Sequence, residues 1–436
     1  MAAQLILGLS ILVGLHELGH LLAAKAFGMR VEKYSIGFPP KIWGKKFGET
    51  EYSIGAIPLG GFVKISGMID ESLDTKTLSE EPEPWEFRAK PAWQRLIVML
   101  GGIIVNVITG IFVFIFLVFS QGEDYLPKEE LNKHGIVVYE IGEYIGLQTG
   151  DKVLNVNGQD YEKYMDLRNI DVLLSDNGYY TVERNGKKVT VDIPNDILDK
   201  LSDKKFGFFA PRQTFSVGEV EPGTNADKGG LKVGDKIVAI NGEEMQYYDQ
   251  FKAAVDTVPG GSLTATILRN GEKIDLDFDV TEESTLGFYA KHEMNMLHRD
   301  FTFGESIGMG TAQAFGVVFS NIKAFGKMFS GDIDPSKSIS GPIGIAKVFG
   351  GTWDWVRFWR ATGFISMILA FMNLLPIPAL DGGHVMFLTW EIVTGRKPSD
   401  SFLENAQKVG MVLLLLLMTF AIFNDVYKII IEKFFS

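Results

Sequence analysis

The sequence predicts a polytopic α-helical membrane protein with about four transmembrane helices, two inserted copies of a small β-rich module and a cytoplasmic, membrane-associated β-hairpin region. Three observations carry this prediction. Apolar runs long enough to cross a bilayer recur at residues 5–27, 96–119, 361–380 and 409–426. The middle of the chain repeats one string of residues. An H-E-x-x-H sequence, His16-Glu17-Leu18-Gly19-His20, lies inside the first apolar run. Composition agrees, because 436 residues with 46 % apolar content exceed one domain and are unusually apolar for a soluble chain. The formal net charge of −12 argues against a nucleic-acid partner, which would want a basic face. Cysteine is absent, which excludes disulfide and thiolate–metal chemistry.

Residues 1–27 form the first transmembrane helix. Positions i and i+4 share a helix face, so His16 and His20 can reach one metal ion with Glu17 beside it. Zinc proteases use that arrangement: two His bind Zn²⁺, and the Glu handles the proton of the attacking water. Ionisable groups in lipid cost several kcal/mol unless they are paired or doing chemistry, which gives the motif more weight here than in a soluble chain. A chance match on a soluble buried helix is the plain alternative. A signal peptide fits less well, since no Lys or Arg precedes the run while Lys25, Arg30 and Lys33 follow it.

Residues 28–95 form the loop to the second helix. Its Arg30, Lys33, Lys41, Lys45, Lys46, Arg88, Lys90 and Arg95 place it in the cytoplasm by the positive-inside rule, with the amino terminus outside and residues 121–303 exported. Arg357 and Arg360, at the outer end of the third helix, pull mildly the other way. Within the loop, residues 55–64 read as a strand with turns at Gly55 and Gly60-Gly61. They form either an ordinary hairpin or an edge able to pair with an unwound substrate. The acidic stretch 70–86 reads as a solvated loop. Residues 96–120 are the second helix, where Asn106 makes either a helix–helix hydrogen bond or a substrate contact and Gly101-Gly102 admits a close neighbour.

Residues 125–205 and 206–292 are the two modules. The string Gly146-Leu147-Gln148-Thr149-Gly150-Asp151-Lys152-Val153-Leu154-Asn155-Val156-Asn157-Gly158 matches Gly230-Leu231-Lys232-Val233-Gly234-Asp235-Lys236-Ile237-Val238-Ala239-Ile240-Asn241-Gly242, and Arg184-Asn185-Gly186 matches Arg269-Asn270-Gly271. Alternating apolar and polar residues with Asn-Gly turns predict half-buried hairpins. The string resembles the PDZ domain, which binds an extended peptide or chain terminus by adding it to a sheet edge. The second copy matches better, and the first is shortened at residues 139–144. A spacer or sieve without ligand is the alternative.

Residues 293–355 form a linker holding an amphipathic helix at 304–328, expected to lie on the membrane because of Glu305, Lys323 and Lys327. Residues 356–384 are the third transmembrane helix, ending in Asn373-Leu374-Leu375-Pro376-Ile377-Pro378-Ala379-Leu380-Asp381-Gly382-Gly383-His384. Two His leave a catalytic zinc one protein ligand short. His134 stands alone, and His292 and His298 have the wrong spacing for one helix face, so this late segment is the best source. Spacing alone leaves Asp381 and His384 as competitors. The topology puts both half-sites on the cytoplasmic side of the bilayer. Residues 385–408 are a cytoplasmic loop, and 409–436 the fourth transmembrane helix and tail.

H-E-x-x-H in a first transmembrane helix with N-x-x-P-x-P-x-L-D-G-G-H in a late one resembles the site-2 protease family of intramembrane zinc proteases. The tandem PDZ-like modules narrow this to the members built that way. The resemblance spans essentially the whole chain, including Gly37-Phe38-Pro39, residues 55–64, Gly101-Gly102-x-x-x-Asn106 and Ser340-Gly341-Pro342-Ile343-Gly344. It implies His16, His20 and Asp381 as ligands of Zn²⁺, Glu17 as catalytic base, Asn373 as a substrate-holding residue and substrate pairing at Gly55, Ile57 and Pro58. His384 becomes a neighbouring group. Another divalent metal would also fit three N/O ligands.

The resemblance further implies a multi-pass protein of the cell inner (plasma) membrane with extracytoplasmic PDZ domains, acting in a stress response. Its substrates would be single-pass membrane proteins in the bilayer: an anti-sigma factor already trimmed by another protease, and signal-peptide remnants. The PDZ pair would exclude intact ectodomains by size. A membrane-anchored PDZ scaffold with a vestigial metal site is the rival, against which the retained Glu17 stands. A transporter leaves the H-E-x-x-H unexplained.

Overall fold

The computed structural model describes residues 1–68, 81–202, 207–331 and 340–434, so most of the acidic stretch 70–86 lies outside the described residues. The chain forms two compact units. One comprises Met1–Gly122, Asp300–Gly326 and Pro335–Ser436; the other Glu123–Arg299 and Lys327–Asp334.

The first unit is built from helices α1 (Ala2–Ala26), α2 (Ala92–Gln121), α3 (Phe303–Ser330), α4 (Pro342–Val348), α5 (Trp355–Leu374), α6 (Asp381–Thr394) and α7 (Asp400–Phe434), with strands β1 (Val31–Phe47) and β2 (Thr50–Ile65) between α1 and α2. Among the described residues three helices are long and apolar enough to cross a membrane: α1, α2 and the Ser401–Lys428 part of α7. Of the apolar run 361–380 read as a third span, only residues 361–374 are helical, in α5. Helix α5 begins at Trp355, where the Asp354 side chain accepts from the Arg357 N–H, and its first turns carry Arg357 and Arg360. It ends at Leu374 because Leu375, which precedes Pro376, is extended (φ −62°, ψ 142°).

Helix α2 shows why this unit suits lipid. Gly101, Gly102, Asn106, Gly110 and Val113 lie on its buried face. Ile104, Ile108, Phe112, Phe116 and Phe119 recur at helical spacing on its exposed face, with Phe112 68 % exposed. A helix that is apolar on both faces needs an apolar solvent. The buried face packs on α1 and α5. At the α1 crossing the backbones touch: a Cβ on Gly19 would stand 2.2 Å from Gly101 O. Farther along, Gly110 makes room for Met367 of α5. Leu12 of α1 joins Phe349, Phe358 and Ile365 in a second buried contact.

The hairpin is bent so that one run has two neighbours. Residues 33–36 pair on one side with 61–64 and on the other with 51–54, while 41–47 pair with 50–55. Its base packs Val31 and Ile65 with Leu21, Ala24, Val98 and Leu388, joining hairpin, α1, α2 and α6 in one core. Helix α3, expected to lie on the membrane, touches α2 and α5 through separate side chains: Phe303 meets Phe119, Ala314 meets Phe114 and Met367, and Phe325 meets Phe371. The Asp425 carboxylate of α7 accepts from the backbone N–H groups of Gly341, Ile343 and Gly344 at 2.8–3.0 Å, anchoring the start of α4.

In the second unit the two repeats fold alike. The first pairs Ile136–Val138 with Phe209–Pro211 and builds a sheet from Lys152–Val156, Tyr179–Arg184 and Lys187–Asp192. The second pairs Thr214–Val220 with Phe288–Glu293 and builds a sheet from Glu243–Glu244, Lys236–Ile240, Ser262–Arg269 and Glu272–Asp279. The repeated letters meet in space. Asp235 receives two hydrogen bonds from Arg269 (2.8 and 2.6 Å), whose Nη2 also donates to Gly230 O at 2.8 Å. Asp151, Arg184 and Gly146 O do the same in the first copy. Where the insertion begins and ends, Glu123–Tyr125 pairs with Leu297–Arg299.

Candidate active site

Helices α1 and α2 run antiparallel, so the H-E-x-x-H face of α1 meets a matching face of α2. His16 and His20, one turn apart, are buried with Nε2 atoms 3.2 Å from each other. From the far end of the chain, Asp381 places Oδ2 at 3.1 Å from His16 Nε2 and 3.4 Å from His20 Nε2. The break between α5 and α6 makes this possible. Pro376 and Pro378 end α5, Ala379 takes a positive φ of 84°, and α6 begins at Asp381 itself. A non-glycine residue at that φ is strained, and such strain gathers at functional turns.

The three atoms fit a metal centre. Ligands at zinc distances from a tetrahedral centre stand about 3.3 Å apart, close to the three separations found. Asp381 Oδ2 is buried yet makes no hydrogen bond, despite its closeness to two imidazoles. It is aimed at a point between the nitrogens and at neither one. His, His and carboxylate is a donor set that zinc accepts. Among the described residues this is the one group of three such side chains close enough to share an ion. His384, which spacing left in competition, stays outside the group.

The surroundings hold the imidazoles in place. His20 Nδ1 lies 2.8 Å from Val98 O; a carbonyl only accepts, so Nδ1 carries the proton and Nε2 keeps its lone pair. Gly102 leaves the room both rings need, for a Cβ there would come within 2.5 Å of His20 Nε2 and 2.6 Å of His16 Cε1. The Asn106 amide lies 3.1 Å from His16 Nδ1, and Ser366 of α5 donates to Asn106 O at 2.8 Å. Asn373 brings its amide 3.3 Å from His16 Nε2.

The strand residues sit beside the site. Glu17 is half-buried, with the backbone of Val63 beside its carboxyl. A Cβ on Gly61 would stand 3.5 Å from Glu17 Cγ, so β2 passes directly by that carboxyl. Pro58 O accepts from Ser10 at 3.4 Å, about 9 Å back along the helix from His16. Ile57 is exposed opposite Phe38, while Gly55 is buried against the Phe38 carbonyl. None of these three joins the ligand group. Asn106, read as a helix–helix or a substrate contact, is 0 % exposed.

Sequence reading missed several contributors. The Val98 carbonyl has no side-chain signature. Ser366 looks like any small residue of an apolar helix. Buried Arg95 and half-buried Glu391, paired at 2.5 Å so that α6 is tied to the start of α2, are separated by most of the chain.

Comparison with known proteins agrees with this geometry. The model of peptidase family M50 matches residues 4–417. The chain is 29 % identical to a putative zinc metalloprotease of Vibrio cholerae over 96 % of this chain and 97 % of that one. It is 29 % identical to the regulator of sigma-E protease RseP of Escherichia coli, over 97 % of each. The regulator of sigma E protease of Haemophilus influenzae is also 29 % identical, over 97 % of this chain and 98 % of its own.

Proposed function

The chain belongs to peptidase family M50 and is a zinc metalloprotease, and we propose that it cuts single-pass membrane proteins within their transmembrane segments. The observation that carries this reading is the grouping of His16, His20 and Asp381 between helices whose outward faces are apolar.

Zinc held there would polarise a scissile carbonyl and acidify a water. The protein's own groups do the rest. Glu17, beside the ligand group, takes the water's proton and returns it to the leaving amine. A helical substrate hides its carbonyls in its own hydrogen bonds and must unwind before it can react. The run 55–64 of β2, whose later part passes Glu17, replaces those bonds by pairing with the opened segment, with Gly55, Ile57 and Pro58 at its start. The Asn373 amide holds the substrate backbone at the ligand group.

By likeness to the sigma-E regulators, the substrate is an anti-sigma factor already trimmed on its far side; signal-peptide remnants are a second class. The protein resides in the cell inner membrane with α5 as the third of four spanning helices, the site towards the cytoplasm and the repeats outside. The repeats, read as two PDZ domains, exclude untrimmed ectodomains by size, and the second can take an extended peptide or chain terminus.

The test is cleavage of a trimmed single-pass substrate in reconstituted vesicles, with both product ends sequenced by mass spectrometry. New ends inside the apolar segment support the reading, and ends confined to flanking loops contradict it. Deleting residues 126–290 should let untrimmed substrate be cut; unchanged discrimination would sink the filter.

A further inference from the structure

Val98, Gly102 and Asn106 fall on one face of α2 at successive turns, opposite His20 and His16. Val98 O fixes the proton of His20, and Gly102 clears space for both rings. From the third position we propose that Asn106 is a positioning residue: it presents its side-chain oxygen to His16 Nδ1–H and so sets the tautomer that frees His16 Nε2 for zinc.

The argument starts from His16 Nε2, which faces Asp381 Oδ2 at 3.1 Å and His20 Nε2 at 3.2 Å. For that nitrogen to be a ligand it must carry a lone pair, so the proton sits on Nδ1, which then has to donate. The group 3.1 Å from Nδ1 is the Asn106 amide, and the end facing it is Nδ2, a donor. Two donors would then oppose each other. At the same time Asn106 Oδ1 is buried and without a hydrogen-bond partner. A half-turn of the amide removes the opposition of the two donors, because the two ends occupy nearly the same space, and leaves the amide NH2 as the end without a partner in place of Oδ1. Oδ1 then accepts from Nδ1–H, and Nδ2 takes the place Oδ1 held.

The residue is well placed for such a role. It is fully buried, its carbonyl is held by Ser366, and both imidazoles pack on the helix that carries it. The substrate contact read from the sequence would require it to be reached from outside. The proposal rests on His16 being a zinc ligand, and the test separates the two.

The experiment is zinc affinity of the full-length protein in detergent, by competition with a chromophoric chelator, for wild type, Asn106→Leu, Asn106→Asp and His16→Ala. A carboxylate can only accept, so Asn106→Asp should bind zinc as tightly as wild type or tighter. Asn106→Leu should bind about 10–100-fold more weakly, the usual loss on removing a group that orients a ligand. Equal affinity in Asn106→Leu overturns the proposal, as does weak binding in Asn106→Asp. If the Leu variant does not fold, the comparison of Asp with wild type still decides. Unchanged affinity in His16→Ala would instead overturn the ligand assignment.

Discussion

His16 Nε2 and Asp381 Oδ2 stand 3.1 Å apart with nearly the whole chain between them. Neither helix could hold a metal alone. The site therefore exists only when α1, α2 and the α5–α6 turn are packed, and mutations that disturb that packing should be read out in zinc binding before any chemistry is measured.

The α1–α2 crossing is one such place. A Cβ on Gly19 would meet Gly101 O at 2.2 Å and its carbonyl carbon at 2.5 Å, both rigid backbone atoms. Gly19→Ala should cost about 1–3 kcal/mol or more by overpacking and displace the adjacent His20. Thermal stability and zinc content in detergent should both fall. Gly316→Ala on α3, where nothing lies within 4 Å of the new Cβ, should leave zinc content unchanged and stability equal or slightly raised, since Ala favours a helix over Gly.

The Arg95–Glu391 pair is another. Arg95 also donates from Nε to Lys90 O at 2.9 Å, so its guanidinium is fixed at the start of α2. Glu391→Ala leaves that buried cation without its counter-ion, at a cost of about 3–5 kcal/mol. Because α6 begins at Asp381, zinc affinity should drop together with the melting temperature. Glu391→Gln, which keeps an acceptor, should lose less; equal losses would show that charge alone matters.

The Asp235–Arg269 pair predicts a pH signature. Burial pushes the Asp235 carboxyl up, but Arg269 and the Lys232 N–H outweigh it and hold it below the usual carboxylate range. A carboxylate depressed on folding stabilises above its unfolded value of about 3.9, and that contribution is lost as pH falls through the lower folded value. Asp235→Asn should therefore cost about 2 kcal/mol at pH 7, and the gap from wild type should close below about pH 4. Hydrogen exchange of the full chain should show faster opening in residues 214–293 and none in the first copy.

The sequence made half of the site readable and left the rest to folding. H-E-x-x-H could be read because helical periodicity puts His16 and His20 on one face. Pro376 correctly marked the end of α5, but Asp354 capped the helix seven residues before the apolar run begins at Ala361, and that N-cap went unread. Asp381 and His384 could not be told apart by spacing, because the choice depends on a strained turn at Ala379. The hairpin strand was anticipated; its bend, with residues 33–36 paired on both sides, was not. Val98 acts through a backbone carbonyl, which any residue supplies.

The central claim is that Glu17 does chemistry at a zinc centre it does not help to hold. The direct measurement is cleavage of a trimmed single-pass substrate in membranes by wild type and Glu17→Gln, with zinc content determined on the same preparations. The account predicts that cleavage is lost while zinc is retained. Cleavage at the wild-type rate by Glu17→Gln would contradict it.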